Sequence, residues 1–371
     1  MRILIAAGGT AGHINPALAI AQQLKTKYPT AEIHFAGRRR GMEYALVTKA
    51  GYPFHDIEVR GIQRSLTPRN IIRNIEAVYY LALSGHCANA ILKAVSPQLV
   101  VGTGGYVSGP VVRAAAKRGI KTAIHEQNAF PGVTNKLLAK DVDIVLAAMP
   151  DAVEKLKVPQ KTVVVGNPVR PEVFAADRQK AREAIGAKEK QIVILSFGGS
   201  LGAQRINEMI APLAAWHIKE RNFLHIHATG SIEKADFAAM AQKLGIDKSS
   251  KFVIREYIDN MPMLLAAADL VICRAGALTL AEISAAGKAS VLIPSPNVAE
   301  NHQYHNAMQL AKIGAATVIE EKNLTPQLLI DTVDKLTKDF ALLMEMGAKA
   351  RNLAMSNSLA KICDELELLL K

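Results

Sequence analysis

Short runs rich in Ile, Val and Leu alternate along this chain with longer stretches in which apolar positions return every three or four residues. The first pattern suits buried parallel strands and the second amphipathic helices, so the alternation predicts an α/β fold with parallel sheets. In the first half the strand candidates are RILIAA, EIHFAG, LVVGTG, KTAIHEQ, DIVLAA and TVVVGN. Between them NPALAIAQQLKTK, PVVRAAAKRG and GVTNKLLAK read as helices. QIVILSFGG, FLHIHATG, KFVIREY, DLVICRAG and ASVLIPSP repeat the theme in the second half.

Glycine placement suggests that the halves share one plan. LIAAGGTAGHINPALA and VILSFGGSLGAQRINEMI each read as a strand, a glycine turn and a helix start. VVGTGGYVSGPVVRAAAKRG and VICRAGALTLAEISAAGK form a second matching pair. Two Rossmann-like parallel-sheet domains facing a central cleft are therefore expected, with a proline-marked seam at VVVGNPVRPEVF. The expected boundaries are 1–166, 167–350 and a C-terminal helix over 351–371 that packs back on the first domain.

A strand that ends in glycines and feeds a helix offers backbone N–H groups and the helix dipole to a phosphate. Neither loop is followed by Gly-Lys-Ser/Thr or fits the dinucleotide fingerprint, and EIHFAGRRR ends in arginines rather than an acid. His13 either fills space at the helix start or takes a proton from a substrate hydroxyl. Glu282 is either a solvated first-turn acid or an acceptor for two vicinal ribose hydroxyls, and Arg170 either a surface residue or a diphosphate clamp. Asp141 and Asp143 spell D-x-D, but their place at the end of a helix favours a structural role over metal binding. No cofactor and no metal are expected.

Charge changes the picture further. Of the net +12, residues 1–166 carry +11 (21 Lys+Arg against 10 Asp+Glu) and the rest +1 (24 against 23). An anionic partner for the first half follows. No zinc-finger or RNP sequence is present, so nucleic acid is not expected. MRILIAA is too brief for a secretory leader, and no run reaches the roughly 18 apolar residues of a membrane span. Cys87, Cys273 and Cys363 stand in no metal-ligand spacing, which suits free thiols in a reducing cytoplasm.

GGTAGHINPALA, GTGGYVSGP, HEQNAFPGVTNK, GNPVR, FGGSLGAQRIN and RAGALTLAEI together resemble, in order, the signature blocks of the MurG family of GT-B glycosyltransferases. The resemblance covers nearly the whole chain. It implies transfer of N-acetylglucosamine from UDP-N-acetylglucosamine to the muramyl 4-hydroxyl of an undecaprenyl-pyrophosphoryl-MurNAc-pentapeptide, inverting and metal-independent, in peptidoglycan synthesis. It also implies that His13 is the general base and that Glu126 is a second catalytic residue, near the acceptor-pyrophosphate side. The implied donor site comprises Thr10, Ala11, Gly12, Asn128, Arg170, Ser200 and Ile258, the run Ala277, Leu278, Thr279, Leu280, Ala281 and Glu282, and Gln303, with His302 beside it. Gly104, Gly105 and Tyr106 would line the acceptor pyrophosphate. The commoner family form has glycine at the position of Ala11; alanine is expected to fit with ordinary helical φ. The family implies a peripheral place on the cytoplasmic face of the bacterial cell membrane. RSLTPRNIIRNIEAVYYLALSG fits a helix lying in that anionic surface, with Ile71, Ile72, Ile75, Val78, Tyr79 and Leu83 among Arg64, Arg69 and Arg73.

Overall fold

A computed structural model describes residues 1–59, 68–199 and 201–371, with side chains described over the same residues except 68–79, 81, 82 and 299. The chain divides into two compact units: Met1–Pro168 with Asn357–Lys371, and Val169–Ser356.

Unit 1 is built on seven parallel strands: β1 (Arg2–Ala7), β2 (Glu32–Gly37), β3 (Phe54–Asp56), β4 (Leu99–Gly104), β5 (Lys121–Glu126), β6 (Ile144–Ala147) and β7 (Thr162–Val164). Their order is β3-β2-β1-β4-β5-β6-β7. Unit 2 repeats the plan with β8 (Val193–Phe197), β9 (Leu224–Ala228), β10 (Phe252–Arg255), β11 (Leu270–Cys273), β12 (Ala289–Leu292) and β13 (Ala316–Val318), ordered β10-β9-β8-β11-β12-β13. Chain order reverses between β1 and β4 and between β8 and β11, so each unit has a switch point where open parallel sheets bind ligands. The strands are mostly apolar because helices cover both faces of each sheet.

Three-residue edge strands β3 and β13 are absent from the hydrophobic pattern and were not expected. Helix α1 (Ala11–Lys27) starts four residues earlier than the sequence suggests. Gly9, with φ +88°, turns the chain immediately after β1, and Thr10 becomes the N-cap. Pro16 therefore lies inside the helix and leaves the Gly12 carbonyl without its N–H, while His13 falls within the first turn. Ala11 opens the helix, so its Cβ meets no φ penalty.

Helices α2 (Met42–Lys49), α3 (Pro68–Val95) and α4 (Ser108–Lys117) follow in unit 1. The second half of α3 buries Ala88, Ile91, Leu92 and Val95 in the core, and Leu83 is exposed. The other residues expected at a membrane surface, Arg64 through Tyr79, lie outside the described side chains. Among the described residues no helix is long and apolar enough to cross a membrane.

The last helix, Ser358–Leu368, begins later than expected, because Phe340–Arg351 is a separate helix of unit 2. The chain then returns to unit 1. Ile362, Cys363 and Leu366 enter the cluster of Ile3, Ile5 and Ala17, and the Lys27 ammonium donates to Asp364 (2.8 Å) and Glu367 (2.7 Å).

Candidate active site

At the switch point of unit 1, the loop after β1 meets the loop after β4. Gly105, with φ +82°, packs against the Gly8 carbonyl so closely that a Cβ would overlap it. A Cβ on Gly104 (φ +106°) would stand 2.5 Å from Nδ1 of His13. The bare backbone thus admits the imidazole to the end of β4. There Nδ1 of His13 lies 3.1 Å from the Thr103 carbonyl and 3.3 Å from Oε1 of Gln127, while the Thr103 hydroxyl donates to the His13 carbonyl (2.8 Å). Both partners of Nδ1 are acceptors, so Nδ1 carries a proton, and in the neutral ring Nε2 then keeps its lone pair.

The amide of Gln127 is itself fixed. Its Nε2 donates to the Thr103 carbonyl (2.9 Å) and to Nδ1 of His125 (3.0 Å), and His125 in turn donates from Nε2 to the Gly166 carbonyl (3.1 Å). Burial holds the His125 imidazole below the usual histidine range, which suits a neutral link in this chain.

Glu126 stands apart from this set. Its carboxylate is buried and accepts four hydrogen bonds: from the backbone N–H and Nδ2 of Asn128 (2.9 and 3.0 Å), from Gly132 N–H (3.0 Å) and from Nδ2 of Asn135 (2.8 Å). Those four bonds fill its acceptor capacity and tie Asn128, Gly132 and Asn135 to the end of β5. Thr10, Gly12 and Tyr106 are exposed and Ala11 and Gly105 partly so, whereas Gly104 is buried in β4. D-x-D is structural: Asp143 accepts from the Thr122 N–H (2.7 Å) and hydroxyl (2.9 Å), and Asp141 faces Arg113 at 3.4 Å.

Unit 2 carries a cavity of about 480 Å3 at its own switch point. The glycine loop after β8 forms one wall, where Gly202 (φ +92°) packs on the Thr229 carbonyl in a space no Cβ could share. Thr279 and Gln303, both expected, line the cavity, and Oε1 of Gln303 is held by the Ser295 N–H (2.9 Å). Arg205, Arg274 and Glu321 also line it and were not expected. The two arginines have a local signal, standing just after a glycine loop in GAQRIN and at a strand end in CRAG, whereas Glu321 has none.

The helix Ala277–Ala286 begins beside the cavity with no side-chain cap and no acid in its first turn, so its leading N–H groups are available to an anion. Leu278 and Ala281 are partly exposed along it. The side chains of Ile258 and Leu280 are buried in the core of unit 2. Arg170 and Glu282 are brought together, with Nε and Nη2 of the arginine both donating to Oε1 of the glutamate (3.1 and 2.8 Å), but neither lines the cavity. His302 opens the helix that carries Gln303, and Ser200 lies outside the described residues.

Comparison with known proteins fits this doubled plan. The glycosyltransferase family 28 N-terminal domain matches residues 3–147, and the family 28 C-terminal domain matches residues 193–365. The chain belongs to glycosyltransferase family 28, in its MurG group. A relative from Acetivibrio thermocellus is 42% identical over 371 residues, 100% of this chain and 99% of its own. One from Desulforamulus reducens is 40% identical over 98% of this chain and 97% of its own. Both are described as UDP-N-acetylglucosamine–N-acetylmuramyl-(pentapeptide) pyrophosphoryl-undecaprenol N-acetylglucosamine transferase. The crystal structure of MurG from Acinetobacter baumannii superposes with a TM-score of 0.78 at 31% identity, over 99% of each chain. The family 28 N-terminal match takes in His13, Gln127 and both loops of unit 1, and the C-terminal match takes in the cavity and Glu282. Arg170 falls in the stretch between them.

Proposed function

We propose that this chain transfers N-acetylglucosamine from UDP-N-acetylglucosamine to the muramyl 4-hydroxyl of an undecaprenyl-pyrophosphoryl-MurNAc-pentapeptide, with inversion and without a metal. The observation that carries the reading is the contact of His13 Nδ1 with the Thr103 carbonyl: in the neutral ring it leaves Nε2 as the atom that accepts a hydroxyl proton. The donor and acceptor are the pair in the printed names of the relatives.

In this reading the 4-hydroxyl loses its proton to Nε2 of His13 while its oxygen attacks the anomeric carbon from the face opposite the departing UDP. Gln127 keeps the ring oriented, and Glu126 holds Asn128 in place. Unit 2 binds the nucleotide sugar. Negative charge growing on the diphosphate is met by Arg170 and by the N–H groups that open the helix Ala277–Ala286, which supplies without a cation the stabilisation a metal would give. Glu282 exchanges its arginine for the ribose hydroxyls, and Gln303 meets the sugar.

The +11 charge of residues 1–166 supports a peripheral place on the anionic cytoplasmic face of the cell membrane, where a lipid-linked acceptor resides. Labelled N-acetylglucosamine tests the acceptor: the reading expects label in a butanol-extractable disaccharide lipid with the muramyl acceptor. Equal or greater incorporation into diacylglycerol would overturn it.

A further inference from the structure

Glu43 lies in the first turn of α2, where a glutamate ordinarily points into water and gains from the dipole of its own helix. This one is buried, 1% exposed, and reaches under the first glycine loop. Its Oε1 accepts from the Arg38 N–H (3.0 Å), and its Oε2 accepts from the Gly9 N–H (3.4 Å).

Glycines at the ends of β1 and β2 and at the N-cap of α2 make room for that one side chain. A Cβ on Gly8 would stand 2.6 Å from Oε1, and one on Gly37 would stand 2.8 Å from Cγ. At Gly41 a Cβ would overlap both carboxylate oxygens and Cδ, all three nearest atoms being those of Glu43. None of the three glycines has positive φ, so backbone freedom does not explain them. On its other side the Gly8 peptide is closed off by Gly105, whose neighbour Gly104 gives His13 its space.

We propose that Glu43 is a positioning residue for the transfer reaction: its carboxylate sets the Gly8–Thr10 loop, and through it the start of α1 and the ring of His13. The inference rests on the reading of His13 as the base. The chemistry requires a carboxylate, since both oxygens must accept. In the amide of Glu43→Gln one position becomes NH2, and a donor then faces the N–H of Gly9 or Arg38. Gly41→Ala acts through the same atom pair, because its new methyl displaces the carboxylate from beneath the loop.

The test is a cycle of Glu43→Gln, Gly41→Ala and their double variant. Readouts are kcat, UDP affinity by calorimetry, melting temperature and amide hydrogen exchange over residues 8–13. Each single variant is expected to lower kcat tenfold or more and to speed exchange in the loop. UDP affinity should stay within twofold and the fold should remain cooperative. The double variant is expected to be no worse than the worse single, since both changes remove one device. Retained kcat with unchanged loop exchange, or multiplicative losses in the double variant, overturns the proposal. If the unaltered protein shows no turnover, the functional reading fails and the positioning role falls with it, whereas turnover in the unaltered protein with kcat and loop exchange unmoved in both variants rejects the role of Glu43 alone.

Discussion

The guanidinium of Arg170 delivers two N–H groups to a single oxygen of Glu282, joining the residue before the helix Pro171–Ala175 to the middle of the helix Ala277–Ala286. Both side chains belong to unit 2, and the arginine is about half exposed. Each is the complement of one part of a nucleotide sugar: a cation for the diphosphate, an acceptor for vicinal hydroxyls. Without ligand, they neutralise each other.

Glu282→Ala is therefore expected to act on donor binding rather than on folding. Losing a charged hydrogen-bond partner costs about 1.5–3 kcal/mol, which is roughly 10- to 150-fold in the UDP-N-acetylglucosamine dissociation constant. A half-exposed pair contributes only about 0–1 kcal/mol to stability, so the melting temperature should hardly move. Calorimetric titration checks this, and unchanged donor affinity would remove the ribose role from Glu282.

His13→Ala is expected to lower kcat by roughly 10²–10⁴, the usual worth of a general base, with UDP affinity on unit 2 unchanged. Gln127→Ala should give a smaller loss in kcat, since it frees the ring without removing the base. Steady-state kinetics with saturating donor reads both. An active His13→Ala variant would reassign the base.

Much of this site was legible in the chain. The two glycine loops, His13, Arg170 and Glu282 stand in local patterns whose chemistry does not depend on distant residues. What stayed hidden needed three dimensions. Glu126 reads as a free acid until Asn128, Gly132 and Asn135 fold around it. Nothing local marks Gly37 and Gly41 until Glu43 lies across them. Strands β3 and β13 are three residues each, too short for a periodic signal, and exist because a neighbouring strand supplies their hydrogen bonds. Helix α1 begins ahead of Asn15 because the chain turns at Gly9 and Pro16 is accommodated inside the helix.

Acid should destabilise unit 2 through three buried histidines. His217, His225 and His227 form a chain with the Ser196 hydroxyl and Asn207. Burial pulls His217 down to about 4, His227 to about 3 and His225 well below the usual range. Unfolded, these imidazoles bind protons near pH 6.5, so between about 4 and 6.5 the unfolded state holds more protons. Stability then falls as pH falls through that window, by up to about 1.4 kcal/mol per pH unit for each residue. Trp216, the only tryptophan, sits in the helix Gln204–Glu220 and reports unit 2 alone. Urea midpoints from its fluorescence should drop between pH 6.5 and 5.5; equal midpoints would contradict the account.

Lys288 works with the same sign at higher pH. It is buried, donates to the Ala266 and Ala268 carbonyls (2.8 and 3.0 Å), and burial draws it down to about 7. From about 7 toward 10.5 the unfolded chain keeps a proton that the folded one has lost, so this group adds stability as pH rises. Buried Cys273 and Cys363, held above the usual thiol range, oppose it above about pH 9. The difference between Lys288→Met and the unaltered protein isolates the lysine: the variant's advantage should shrink from pH 7 to 8.5, and a constant difference would rule the titration out.

Acceptor-dependent turnover without metal is read from UDP release. The assay supplies UDP-N-acetylglucosamine in EDTA, with and without the undecaprenyl-pyrophosphoryl-MurNAc-pentapeptide. The account expects UDP release only when the lipid is present, matched by an equal amount of disaccharide lipid. Release at the same rate without the lipid, or none until a divalent cation is restored, would contradict it.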